Sequence, residues 1–261
     1  MAIVTLLYLV YLLLPIALLL IGSVGEVWSN TLLPSGLTGR WYLDVVGDVS
    51  FRRAFESSLA VAGATVAISL AVGAPLAYAI AVAAHRGVTL AARIVYLLPI
   101  AAPPIVLAFG MMLVFSSDTL PYLGSTGVLI GGHIVLCLPY LLQALVADLR
   151  HLGIAELERA AESLGASFGQ RFFDIVLPTL RHSLATGAIT VAALSIGEFQ
   201  VSNLIAGFTN RTYPVVLLQA FYGATGFACA ATVILLALAL AAAVGGALTA
   251  HGTSAAGGAT S

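Results

Sequence analysis

The sequence predicts an all-α, polytopic membrane protein: six transmembrane helices, with a polar amphipathic segment between the fourth and the fifth. Three observations predict it. Of the 261 residues, 61% are hydrophobic and only 8% charged, against roughly a quarter charged in globular chains, and mean hydropathy is +1.08. Lipid is therefore the main solvent. The apolar residues gather into six runs, each near the roughly 20 residues that cross a bilayer as a helix. The runs are continuous rather than alternating, which points to helices, and a helix pairs its own backbone polar groups inside lipid.

The first run, 3–23, is uncharged. It lacks the basic leader and small-residue cleavage site of a signal peptide, so it is read as a true span, with a kink at Pro15. Residues 26–53 read as an extramembrane loop with Trp28, Trp41 and Tyr42 at the interface. The second span is expected over 57–84 and the third over 94–115. In the third, Pro99, Pro103 and Pro104 interrupt regular helix hydrogen bonding. The fourth is expected over 128–147. The fifth, 183–207, carries Glu198, and the sixth covers 227–248 before a small-residue tail. Arg86, Arg93, Arg150, Arg159, Arg171 and Arg181 fall on one side of this arrangement. Arg40, Arg52, Arg53 and Arg211 fall on the other. The larger basic count places both termini and the 148–182 segment in the cytoplasm.

That segment is too polar to span. Within 154–178, Ile154, Leu157, Ala161, Leu164 and Phe168 recur at helical spacing, with Glu156, Glu158, Arg159 and Glu162 opposite. Phe172, Ile175 and Val176 form a second short stripe, and Pro178 ends or bends it. Two short amphipathic helices joined near glycine are expected. A helix without a core of its own must dock on a membrane surface or in a partner's groove, and its mixed charges disfavour anionic lipid.

Ala160-Ala161, Gly165 four residues later, and Ile175-x-Leu177-Pro178 resemble the "EAA" motif of binding-protein-dependent ABC importer permeases. The sequence departs from that motif at its Glu, where Arg159 stands after Glu158. The resemblance implies the type I importer permease fold, a single permease domain over 1–261, and a coupling helix within 154–178. It implies that Glu158, Ala160, Ala161, Leu164, Gly165, Ala166, Ile175, Leu177 and Pro178 engage a separate ABC ATPase. It also implies a second permease subunit, expected to be a different chain, and an extracytoplasmic solute-binding protein. The resemblance further implies a prokaryotic inner membrane as the setting and motion by alternating access. Leu33-Pro34-x-Gly36-Leu37-Thr38-x-x-Trp41-Tyr42 and Ser195-Ile196-Gly197-Glu198-Phe199 are similar to the branch that carries polyamines, phosphonates, thiamine and ferric ion. A small solute such as a polyamine or phosphonate is the expectation.

The chain has no Lys and no phosphate-cradling loop, so ATP and Mg are expected on the partner ATPase, with no cofactor, metal or catalytic residue here. A net charge of −1 argues against nucleic acid. Cys137 and Cys229 read as small buried apolar residues. Glu198 is costly inside a span and usually faces a cavity or partner. It is expected either on the translocation pathway with Ser195 and Asn203 or in a structural hydrogen bond to Ser195, Ser202 or Asn203. His133 reads as a satisfied bundle-facing histidine, and Tyr78, Tyr96 and Tyr140 as packing or interfacial residues. An ion-coupled secondary transporter would need paired intramembrane charges and inverted repeats. A membrane enzyme would need clustered His, Asp or Cys. Neither pattern is present.

Overall fold

The computed structural model describes residues 2–28, 31–83 and 85–240. They form two compact units, one of residues up to Arg52 with those from Val216 on, the other Arg53–Val215.

In the first unit, α1 (Ala2–Val24) is an apolar helix in which no side chain from 3 to 21 is buried. The predicted loop after it contains order that periodicity did not reveal. Strands β1 (Gly25–Val27) and β2 (Ser35–Leu37) pair antiparallel, and α2 (Arg40–Gly47) follows. The Trp41 indole N–H donates to the Gly25 carbonyl at 2.8 Å, and Ser23 Oγ lies 2.7 Å from the Tyr42 hydroxyl. Helix α12 (Thr225–Leu240) packs here, with Phe227 edge-on to Phe51 and Gly226 so close to Trp41 that a side chain would strike the indole. The remainder of the predicted sixth span, 241–248, and the tail lie outside the described residues, as does Ala84 at the end of the predicted second span.

Helix α3 (Val49–Val82) starts eight residues before the predicted span. Asp48 causes this by accepting from the N–H groups of Ser50 (2.7 Å) and Phe51 (3.0 Å), which caps the helix outside the apolar run. At 1.5 Å per residue it is roughly 50 Å long, well beyond the ~30 Å hydrocarbon core.

The second unit is built on α6 (Thr126–His151). The predicted third span is a broken pair, α4 (Arg86–Ala101) and α5 (Pro104–Phe115), bent by 96°. The prolines explain it: Pro103 and Pro104 have no N–H to return to the carbonyls four residues back. After α7 (Ile154–Ser163) come α8 (Phe168–Thr179) and α9 (Arg181–Ile196), bent by 68° where Pro178 predicts a bend. The predicted fifth span is not one helix. It stops at Ile196, passes Gly197-Glu198-Phe199 as irregular chain, and resumes as α10 (Gln200–Ile205). Helix α11 (Tyr213–Phe221) falls in a segment read as loop. Among the described residues, three helices (α1, α3, α6) are long and apolar enough to cross a membrane, or five if each bent pair counts as one.

Tyr78, Leu141, Leu145, Leu149, Ile154, Val176 and Leu180 form the core joining α3, α6, α7, α8 and α9. A second cluster holds Val61, Ala108, Leu129, Val201 and Ile205. Gly187 sits where a Cβ would collide with Leu141. Small residues let membrane helices approach closely, which supplies packing that the hydrophobic effect does not provide in lipid.

Candidate functional site

Two regions of the second unit carry the chemistry. The first is the α7–α8 hairpin. The Ala166 N–H donates to the Ala161 carbonyl at 3.0 Å and the Gly165 N–H to that of Glu162 at 2.9 Å, so α7 ends in a Schellman turn. That turn needs a left-handed residue, and Gly165 supplies φ +84°. Among the described residues nothing lies within 4 Å of where its Cβ would be, so the turn is open on that side. Leu164, at its tip, is 87% exposed. A hollow of about 360 Å³ beside the tip is lined by Leu164, Gly165, Ala166, Gln170, Asp174 and Ile175. Ser167 then starts α8 with a capping box to Gln170.

The back of the hairpin is fastened. Arg171 Nη1 lies 3.4 Å from both Glu158 Oε1 on α7 and Glu162 Oε2. The Tyr78 hydroxyl of α3 donates to Glu158 Oε1 as well. Its ring contacts those of Phe168 and Phe172 at 5.8 and 5.6 Å. Residues Arg171–Val176 form a π-helical turn in which the Leu177 N–H donates to the Phe172 carbonyl. Pro178 accounts for it, because its ring would press on the carbonyl of Asp174 in a regular α-turn.

The second region lies where both broken spans meet α6. A cavity of about 520 Å³ is lined by Pro99, Ile100 and Pro104 from one break, Gly197, Glu198 and Phe199 from the other, and Leu136, Cys137 and Tyr140 of α6. Glu198 caps α10: its carboxylate accepts from the Val201 N–H (2.7 Å), the Ser202 N–H (2.8 Å) and the Ser202 hydroxyl (2.8 Å). His133 is fully buried, with Nδ1 2.7 Å from Ser195 Oγ and Nε2 2.9 Å from Ser202 Oγ. One assignment satisfies every partner. The Ser195 hydroxyl donates to Nδ1, Nε2–H donates to Ser202, and the Ser202 hydroxyl donates to Glu198. Ring and carboxylate are 3.6 Å apart.

The family of binding-protein-dependent transport system inner membrane components matches residues 73–250, which include both regions. The chain belongs to this family. It is a membrane transport permease, a transport subunit rather than an enzyme, and the resemblance read from the Ala160-to-Pro178 spacing is borne out. This permease is 26% identical over 238 residues to a candidate 2-aminoethylphosphonate transport system permease protein, PhnV, of Salmonella typhimurium, covering 90% of this chain and 87% of that one. It is 32% identical over 184 residues to the molybdate/tungstate transport system permease protein WtpB of Pyrococcus abyssi, covering 70% and 71%. The spermidine/putrescine permease PotC of Escherichia coli is 26% identical over 210 residues, covering 78% and 76%. Among solved structures, a bacterial ABC transporter involved in import of the acidic polysaccharide alginate shares the fold, with a TM-score of 0.63 at 18% identity over 93% of this chain and 92% of that one.

Of the motif residues, Ala160, Leu164, Gly165 and Pro178 are exposed, and Glu158, Ala161, Ala166, Ile175 and Leu177 are half-buried. Glu158 faces inward to the clamp, while Arg159, at the motif's Glu position, is exposed and, among the described residues, bonds its own helix alone through Ala155 O. Glu198 and Ser195 are brought together through His133, whereas Asn203 is exposed on the far side of α10. The clamp residue Arg171 was not singled out by sequence. It sits at helical spacing between Phe168, Phe172 and Ile175, and a charge on an apolar stripe signals a buried partner.

Proposed function

We propose that this permease is the transmembrane subunit of an ATP-driven importer of a small solute, coupled to a separate ATPase through residues 154–178. The carrying observation is the α7–α8 hairpin: its tip is apolar and open, while its back is closed on itself by the Arg171 ion pairs, tied to α3 through Tyr78 and packed on α6 through the apolar core. A lever needs this asymmetry, since a free tip engages the partner and a stiff back passes the motion on. ATP and Mg would bind on the partner, and a second permease subunit and an extracytoplasmic solute-binding protein would complete the assembly. The chain would cross the membrane six times, with amino and carboxyl termini in the cytoplasm and its working state set by which conformation each ligand binds better.

The cavity at the two helix breaks is the proposed solute passage. Discontinuous helices commonly mark such sites in transporters. The relatives named for phosphonate, polyamine and molybdate support a small polar solute. Binding of phosphonates and polyamines to the cognate solute receptor would decide between them.

The hairpin role is tested by Gly165→Asp. Asp tolerates the left-handed conformation better than most residues, so the turn persists while bulk and charge enter the docking face. ATP-driven uptake into vesicles is expected to fall to background with membrane insertion unchanged. Normal uptake by the variant rejects the docking role.

A further inference from the structure

Three of the ten basic residues converge on one hollow away from both regions above. Arg86 and Arg93 on α4 and Arg150 in the last turn of α6 line a space of about 400 Å³, with Thr89 and Leu90 of α4 and Ala81 of α3. All three arginines are exposed, and among the described residues none has a carboxylate at ion-pair distance. Asp148 lies two positions from Arg150 but opens on a different hollow with His182 and Ser183. Clustered like charges repel, so the grouping is favourable only where an anion neutralises it.

The surroundings specify which anion. Arg86 opens α4, and Arg150 closes α6, a helix long and apolar enough to cross a membrane. Along α4, Val88, Leu90, Ile94, Val95 and Leu98 are each at least half exposed, an apolar face that begins beside the arginines and continues down the helix. A soluble oxyanion would have no use for that face, whereas a phospholipid presents a phosphate to the guanidiniums and an acyl chain to the face. Basic pockets between membrane helices suit anionic headgroups, and guanidinium meets phosphate through paired hydrogen bonds.

We propose that Arg86, Arg93 and Arg150 hold the phosphate of an anionic phospholipid. Arg150 stands four residues before Ile154, where α7 begins, so the bound lipid fastens the end of α6 from which the hairpin extends.

Native mass spectrometry of the purified, delipidated transporter complex, titrated with phosphatidylglycerol, tests this. Binding is expected to weaken about fivefold for each arginine removed, from about 1 kcal/mol per basic residue at an anionic surface. The combined R86Q/R93Q/R150Q variant should approach a hundredfold, while phosphatidylcholine should bind both proteins equally weakly. Unchanged phosphatidylglycerol binding in the triple variant overturns the proposal. Displacement of the lipid by inorganic phosphate at similar concentration overturns it in favour of a soluble oxyanion. Loss of the ATPase subunit with lipid binding intact overturns it in favour of a protein contact. Should the triple variant fail to assemble, R86Q alone, at the first residue of α4, is expected to lose about fivefold, and R86K less, because the ammonium keeps the charge but not the paired hydrogen bonds. Unchanged phosphatidylglycerol binding in R86Q rules the site out.

Discussion

Glu158 and Glu198 are both largely buried carboxylates, 14% and 8% exposed at their side chains, and the protein accommodates them by opposite means. Glu158 is neutralised by a guanidinium from another helix and hydrogen-bonded by a phenol from a third. Glu198 is held by two peptide N–H groups and a hydroxyl of the short helix that follows it, with the His133 ring beyond. The first arrangement ties three elements together, so displacing one moves the others. The second completes the start of α10 and leaves the neighbouring cavity free to change. Stiffness is placed where the proposed coupling would pass force on, and local closure beside the proposed passage.

The largest expected effect strikes the inter-helix carboxylate. Arg171→Leu strands Glu158 without its cation, and breaking a buried pair costs about 3 kcal/mol. Thermal unfolding of the purified complex should show that loss, and ATP-driven uptake should fall with it. If unfolding is unchanged, the clamp contributes nothing and the contrast with Glu198 fails.

A smaller effect is expected from Glu198→Gln. The amide keeps one acceptor and turns an NH2 toward donors, so the α10 cap is weakened by about 1 kcal/mol. The same unfolding measurement checks it, and a loss equal to that of Arg171→Leu would erase the distinction between the two sites. The smallest effect is Arg159→Ala, which removes an exposed side chain bonded only to its own helix. Its stability change should stay within about 0.5 kcal/mol, and a larger loss in the purified single chain would mean that Arg159 shares the work of Glu158.

Much of this was legible in the sequence, and the gaps have physical reasons. Long apolar runs located α1, α3, α6 and the α4–α5 pair because hydropathy measures preference for lipid. The proline cluster located the first break because a missing N–H is written in the sequence. The second break was hidden: Gly197-Glu198-Phe199 sits in an otherwise apolar run, and only the carboxylate marked it as unusual. The early start of α3 was readable in Asp48 as a cap, but a window tuned to apolar residues passes over it. The β1–β2 pair is three residues per strand, too short for alternation to register. At the candidate site, spacing placed the hairpin and its glycine, and Glu198 with Ser195. It could not place Tyr78 against Glu158, 80 residues apart, because nothing local encodes that meeting.

The broken third span has one more consequence. With prolines at 103 and 104, the peptide oxygens of Pro99 and Ile100 have no donor four residues on, and both residues border the cavity. An oxygen without a donor is expensive in a dry apolar wall. Hydration of that wall would relieve the cost, and if the cavity is the proposed passage, cargo entering it would displace water at these two carbonyls.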